Sequence, residues 1–203
     1  MLPGPNGPPG QGDRLPAGEP GNEFRLPTRR GGGTQMVHHE PSRTIAEPKE
    51  LLLGYLDYYR AALLAKLDGL SEEDLRASRL PSGWSPLELF NHLVHMERRW
   101  LEWGFAGRQV AGPWADHDPE TDRWVLRPDA SLASLTARLE ETARTTADVT
   151  AGAALTDPAK LGGRWDHDPP ALSWILLHVL QEYARHVGHL DVVRELIDGT
   201  VGE

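Results

Sequence analysis

Two side chains near the end of the chain have the types and the spacing of metal ligands. Glu182 and His186 are four residues apart in a stretch with helical periodicity, and residues at i and i+4 lie on one face of a helix, about 6 Å apart. A carboxylate oxygen and an imidazole nitrogen can therefore point to one position. A third ligand from a neighbouring helix would complete a set of three, which together with one open position is typical of a catalytic zinc site.

The spacing alone leaves a second interpretation open. Glu182 and His186 could form an ion pair on the helix surface, and His92 could be a core histidine with satisfied hydrogen bonds. Against this, His186 is in register with the apolar face of its segment, and a nearby ionised carboxylate is costly to bury unless it is paired or metal-bound. His92 borders the apolar residues Leu89 and Met96, so it also lies at the edge of a core face.

Helices must position these side chains, since apolar residues recur with a 3.6-residue period in four segments. A capping box at Ser85 and Glu88, proline at a first helical position and glycine after a last one set the predicted ends. The predicted helices are Pro48 to Gly69, Ser85 to about Gly104, Ser131 to about Val149, and Leu172 to Gly199, with a single capped turn at 71–75. Residues 105–130 and 152–170 are predicted loops. In no segment do apolar and polar residues alternate for long enough to predict a β-strand, so we expect an all-α four-helix bundle.

The composition removes several classes of function. The chain has 30 acidic against 21 basic residues and a formal net charge of −9, which argues against nucleic acid or an anionic membrane as the main partner. It has no cysteine, so disulfides, thiolate metal sites and a cysteine nucleophile are excluded. Neither a membrane span nor a signal peptide is predicted, which makes a cytoplasmic location the expectation. Phosphate-loop, serine-hydrolase and zincin motifs are missing as well.

The first 44 residues differ in composition from the rest. They contain nine of the 21 glycines and eight of the 17 prolines, and few large apolar residues. Such a segment buries too little surface to offset the loss of chain entropy. We therefore predict a disordered tail at 1–44 and a helical domain at 45–203. Met36 could also be the true start of the chain.

Two helix sequences resemble one known superfamily. Asn91–Glu97 (NHLVHME), followed by Trp100, is similar to the second-helix signature of the DinB/YfiT-like proteins, and 182–191 (EYARHVGHLD) is similar to their fourth-helix signature. The closing 194–199 (RELIDG) resembles an actinobacterial branch of unknown function. That branch is grouped with mycothiol-dependent S-transferases and the mycothiol-dependent maleylpyruvate isomerase. The resemblance covers about 45–203.

The resemblance implies an up-down-down-up four-helix bundle that holds a divalent metal, often zinc or nickel, near one end. Mapped by motif, the ligands are His92 from the second helix and Glu182 and His186 from the fourth. His95 and His189 each stand three residues beyond an implied ligand, so either could replace it or support it. Homodimers are common in the superfamily, and we expect one here.

The implied function is a metal-dependent transferase in which a mycothiol-like, low-molecular-weight thiol attacks an electrophilic small molecule. His95, Glu97 and His189 are candidates for proton transfer, and Arg185 is a candidate contact for the thiol cofactor. The missing cysteines agree with an external thiol. Two other functions fit the same residues: a non-catalytic protein that sequesters a metal or small molecule, and a metal-dependent hydrolase.

Several further residues are interpreted as structural. The acidic stretch 116–122 lacks the glycine and late glutamate of a calcium loop, so we predict a solvated loop. Arg98 and Arg99 are expected on a solvated face. Trp114 and Trp165 stand in similar short sequences of the two long loops, and could border one pocket.

Overall fold

The structure is a computed structural model that describes residues 39–202. The predicted tail therefore lies mostly outside the described residues, which begin at His39. Within 39–202 the chain is mostly helical, which confirms the predicted all-α class. The elements are α1 (Pro48–Leu67), α2 (Glu72–Arg76), α3 (Pro86–Arg98), a π-helical segment (Arg99–Phe105), β1 (His117–Asp118), β2 (Arg123–Trp124), α4 (Leu132–Thr150) and α5 (Leu172–Asp198).

The helices begin and end where short-range signals place them. Ser85 caps α3 in a reciprocal capping box with Glu88, and Pro86 occupies the first turn. Ser131 forms a similar box with Ser134 at the start of α4. Gly199, with a φ of 76°, ends α5 in the left-handed conformation that glycine adopts at low cost. The ends of these helices are thus encoded within a few residues of each end.

The four long helices enclose one apolar core. Helix α1 packs against α4 and α5, and α3 also packs against both of them. Fully buried side chains from all four fill the space between them, among them Leu56, Leu63, Phe90, Leu93, Leu139, Ile175 and Val179. Helix α2 packs against α3 at the side. No helix of the described chain is long and apolar enough to cross a membrane.

A buried polar network crosses this core. Glu97 on α3 has no exposed surface and accepts hydrogen bonds from Arg60 on α1, Thr146 on α4 at 2.5 Å and Tyr183 on α5 at 2.7 Å. One carboxylate therefore joins all four long helices. Burial and the neighbouring Glu97 charge raise the pKa of Tyr183 well above its usual value, so its hydroxyl stays a donor.

The end of the predicted second helix differs from expectation. The segment Arg99–Phe105 is π-helical rather than α-helical. A Cβ at Gly104 would lie 2.8 Å from the carbonyl oxygen of Arg99, so the wider turn closes only around a glycine. The long loop also contains one short antiparallel hairpin, in which His117 pairs with Trp124. The π segment and the hairpin both border the site described next.

Candidate metal centre

Three side chains from two neighbouring helices meet at one place. His92 lies on α3, and Glu182 and His186 lie one turn apart on α5. One potential ligand atom from each lies within 4.8 Å of the others, and the Glu182 carboxylate is 3.3 Å from Nε2 of His186. Ligands of a tetrahedral zinc ion are about 3.3 Å apart when the bonds are about 2.0 Å long. Two imidazoles and one carboxylate at this spacing fit a divalent transition metal.

The ring of His92 is held from behind by a buried carboxylate. Oδ2 of Asp116 lies 3.0 Å from Nδ1 of His92, and Oδ1 accepts a hydrogen bond from Nη1 of Arg99. Asp116 is only 1% exposed. When Nδ1 donates its hydrogen to Asp116, Nε2 is the His92 atom that can bind a cation.

The electrostatics of the cluster favour bound positive charge. Burial opposes the charge on Asp116, but hydrogen bonds from His92 and Arg99 outweigh it and lower the pKa of Asp116 to about 2. The close contacts with His186 and His92 hold the pKa of Glu182 well below its usual range, so this carboxylate stays ionised. Burial lowers the pKa of His186, which keeps its imidazole neutral and its lone pair available. Two ionised carboxylates thus stand next to two imidazoles.

Two tryptophans cover the cluster. The Trp124 ring stacks on His92, with ring centres 4.4 Å apart and 17° between the planes, and it meets His186 edge-on at 5.2 Å. Trp84 lies behind Trp124 at 6.1 Å. Trp124 belongs to β2, and the backbone of Asp116 accepts a hydrogen bond from Val125. The hairpin therefore supplies the aromatic cover of His92, and the residue that precedes it, Asp116, supplies the hydrogen-bond partner.

His189 stands at the exposed edge of the cluster. Its Nδ1 is 3.4 Å from Nδ1 of His186, and its ring lies 6.2 Å from that of Trp84. The structure thus places His189 against a candidate ligand rather than in the group of three. Of the proposed proton-transfer residues, it is the one found next to the cluster.

The structure does not bring His95 to the cluster. His95 is buried on another side of α3, where its Nε2 accepts a hydrogen bond from Nη2 of Arg138 on α4 at 3.1 Å. Burial is the main cause that lowers its pKa to about 4. It borders a separate cavity of about 430 Å³, lined also by Asn91, Arg127 and Ser134. Its neighbours make it a packing partner of α4.

Glu97 and Arg185 also lie apart from the three candidate ligands. The carboxylate of Glu97 is engaged by Arg60, Thr146 and Tyr183 in the core, so we leave it out of the chemistry. Arg185 is an exposed residue of α5. A contact between Arg185 and the thiol stays a prediction.

The structure corrects two expectations about charged residues. Asp116 does not belong to a solvated loop, because it is buried between His92 and Arg99. Arg99 is 4% exposed and therefore does not lie on a solvated face. Arg98, in contrast, is partly exposed and forms an i,i+4 pair with Glu102, at 3.3 Å.

The residues that surround the candidate ligands were not predicted from the sequence. Asp116, Trp84 and Trp124 lie in loops or in the short hairpin, where no periodicity relates a residue to the helix that it contacts. The acidic stretch 116–122 was a signal, but it predicted a solvated loop rather than a partner for a histidine 24 positions before Asp116. The spacing of apolar residues does not predict the π-helical turn that buries Arg99 beside Asp116.

The fold and the site together define a helical protein with a His–Glu–His cluster between two of its long helices. A family model described as mycothiol-S-transferase matches residues 51–199, and the chain belongs to that family. This match confirms the resemblance of the second and fourth helices to the DinB-like, mycothiol-related proteins. A comparison with curated proteins gave no match.

Proposed function

We propose that this protein is a divalent-metal-dependent S-transferase that joins a mycothiol-like thiol to an electrophilic small molecule. His92, Glu182 and His186 would hold the metal, for which zinc is our first choice and nickel the second. The observation that carries the proposal is the meeting of these three side chains in a member of the mycothiol-S-transferase family. We further propose that the four long helices form an up-down-down-up bundle within a domain at 45–203.

The proposed chemistry assigns a task to each group at the site. A bound divalent metal supplies the positive charge that lowers the pKa of a thiol at the open position. Asp116 fixes the ring and the tautomer of His92 through the 3.0 Å hydrogen bond. Trp124 keeps water from one side of the cluster. His189, exposed and 3.4 Å from His186, carries the thiol proton to solvent.

The transfer itself balances without a redox partner. The thiol loses its proton to solvent, and its sulfur forms a bond to the electrophilic carbon. Where the electrophile has a leaving group, that group departs with the electron pair of the broken bond. Where the electrophile is an activated double bond, a proton from solvent completes the addition.

A conjugation assay tests the reaction. The purified protein is incubated with mycothiol and monochlorobimane, and the fluorescent conjugate is measured with and without a chelator. We expect conjugation that the chelator abolishes and added zinc restores. Conjugation that survives complete metal removal would contradict the proposal.

Variants test the site independently of activity. His186→Ala is expected to lose most of the bound metal, measured by elemental analysis after dialysis. His167→Ala removes an exposed loop histidine and is the matched control. Full metal content in His186→Ala would exclude this cluster as the metal site.

The same experiments separate the two other functions. A protein that binds metal at the cluster but forms no conjugate would be a sequestering protein or a hydrolase. Release of product from a panel of amide and ester substrates would then identify the hydrolase. No feature of the described residues favours either of them over the transferase.

A further inference from the structure

A second group of aromatic side chains adjoins the candidate metal centre. We call it the aromatic platform and define it as Trp100, Trp165, Trp174 and His178. The His178 ring is stacked on Trp174, with 5.3 Å between ring centres and 5° between the planes. Trp100 contacts His178 at 4.2 Å and Trp174 at 5.4 Å, and Trp165 lies 5.8 Å from Trp100. The platform thus joins the π segment, the second long loop and α5.

The platform continues the line of the metal ligands along two helices. His92 lies opposite His186, and Trp100 lies opposite His178, so the two chain segments run antiparallel there. On α5, His178 is four residues before Glu182, which corresponds to about 6 Å along the helix axis. Trp174 is a further four residues away, about 12 Å from Glu182. A ligand that reaches the cluster with one end can therefore lie along the platform with the other.

The platform exposes more aromatic surface than packing requires. Trp174 is 51% exposed although it lies on α5, which packs the apolar side chains of its other face into the core. Burying an indole ring would be favourable, by about 25 cal/mol for each Å² of apolar surface. Trp174 is the exposed indole of the platform, and Trp100 and Trp165 beside it are partly buried. Aromatic side chains that cluster in this way are typical of ligand sites, where a few polar groups set the orientation.

Polar donors accompany these rings. Nη1 of Arg164 and Nε1 of Trp165 are buried and have no hydrogen-bond partner among the described residues. The Arg164 guanidinium lies over the rings of Trp100, at 4.1 Å, and Trp165, at 5.4 Å. Buried donors without acceptors are costly. Ligand oxygens that enter the platform would compensate that cost after small side-chain movements.

We propose that the aromatic platform binds the two carbohydrate rings of the thiol substrate. This inference rests on the proposed function, in which the thiol is mycothiol, a cysteine derivative carried on glucosamine and inositol rings. The C–H faces of such rings pack on indole surfaces, and their hydroxyl oxygens accept hydrogen bonds from donors such as Arg164 and Trp165. The reactive end of the electrophile must touch the sulfur, whereas the two rings extend the thiol away from the sulfur, far enough to reach indoles about 12 Å along the helix.

The test compares two thiols that share the reactive group. Mycothiol carries the rings, whereas N-acetylcysteine has the same thiol head without them. In Trp174→Ala we expect the KM for mycothiol to rise at least tenfold while kcat/KM for N-acetylcysteine stays within twofold of the wild-type value. Trp174→Phe keeps a stacking ring and should restore most of the mycothiol KM. Leu177→Ala removes a side chain that is 55% exposed on the same helix and is the matched control.

A direct binding measurement keeps the inference separate from the chemistry. The thiol-free glucosaminyl-inositol should quench the tryptophan fluorescence of the wild type in a saturable manner, and should bind Trp174→Ala at least tenfold more weakly. If neither thiol is conjugated, the proposed function is wrong. The titration with the thiol-free sugar still shows whether the platform binds the two rings. Equal KM changes for both thiols, or equal sugar binding by both proteins, would overturn the inference. A change of oligomeric state in Trp174→Ala without a change of sugar affinity would instead assign the face to a second copy of the chain.

Discussion

Asp116 gives His92 its orientation. An imidazole on a helix can rotate and can carry its proton on either nitrogen. The 3.0 Å contact to Asp116 removes both freedoms, and the carboxylate is itself fixed by Arg99. We therefore expect the metal affinity of the cluster to depend on a residue that is not one of the three candidate ligands.

Asp116→Asn should weaken metal binding without removing a ligand. The amide is uncharged and can present either a donor or an acceptor to His92, so the ring is held less firmly. We expect the zinc affinity to fall about 10- to 100-fold, as measured by competition with a chromogenic chelator. Asp122→Asn is the control, because the Asp122 side chain is 96% exposed. Equal affinity in Asp116→Asn and the wild type would show that the orientation of His92 does not limit binding.

Glu97 illustrates the opposite case, a carboxylate whose role is structural. Glu97→Ala would leave the buried Arg60 without its main counter-charge. Breaking a buried ion pair in this way typically costs about 3–5 kcal/mol, so we expect a loss of that size in the free energy of unfolding, measured with urea. Glu102→Ala, which breaks a partly exposed pair with Arg98, should cost less than about 1 kcal/mol. Similar losses in the two variants would contradict the assigned role.

At the level of elements, the α-helices follow from short-range signals but the π segment does not. Ser85 and Ser131 mark helix starts through capping boxes, and Gly199 marks an end. Apolar spacing over seven residues does not distinguish an α-helical turn from a π-helical one. The difference matters because the π segment carries Arg99 to Asp116 and Trp100 to α5.

Gly104→Ala tests the π segment. The added Cβ would lie 2.8 Å from the carbonyl oxygen of Arg99, a backbone atom that cannot move aside cheaply. We expect a loss of about 1–3 kcal/mol in the free energy of unfolding, typical of overpacking. Gly188→Ala, inside α5 with nothing within 4 Å of the new Cβ, should instead stabilise by about 0.5–1 kcal/mol. Equal effects of both substitutions would mean that the π segment has room for a side chain.

The contact between α3 and α4 should make stability depend on pH. Burial lowers the pKa of His95 to about 4, against about 6.5 in an unfolded chain. Between these values the unfolded state binds more protons, so the contribution is present at neutral pH and is lost as the pH falls. The loss attributable to His95 from pH 7 to pH 5 should be about 2 kcal/mol.

The measurement is urea unfolding at both pH values. His95→Gln keeps an acceptor for Arg138 but cannot be protonated, so its stability should fall less between pH 7 and pH 5 than that of the wild type. His167→Gln, at an exposed loop position, should behave like the wild type. Parallel pH curves for all three proteins would contradict a buried neutral His95.

For the whole molecule, the sequence predicted the helices and the residues that meet, but not their surroundings. Glu182 and His186 are on one helix, so spacing relates them directly, whereas His92 joined them through the resemblance of its helix sequence. Asp116, Trp84 and Trp124 reach the site through loops, where the path of the chain is decided by long-range packing. The position of Glu97 in the helical pattern predicted a side chain that faces the interior. Such a position does not distinguish a catalytic residue from a structural residue of the core. The domain boundary near 45 and the homodimer stay predictions.

A metal at this cluster should stabilise the molecule as a whole. His92 and the Glu182–His186 pair belong to helices about 90 residues apart in the chain, so the complete ligand set exists only in the folded state. A ligand that binds only the folded state adds RT ln(1 + [L]/Kd), about 2.7 kcal/mol at 100 times Kd. The nine histidines of the chain also bind some metal when unfolded, which makes this figure an upper limit. We expect zinc to raise the melting temperature of the wild type and of His167→Ala, with slower hydrogen exchange in both α3 and α5. His186→Ala should show neither effect, and a zinc-induced rise of equal size in His186→Ala would place the stabilising metal elsewhere.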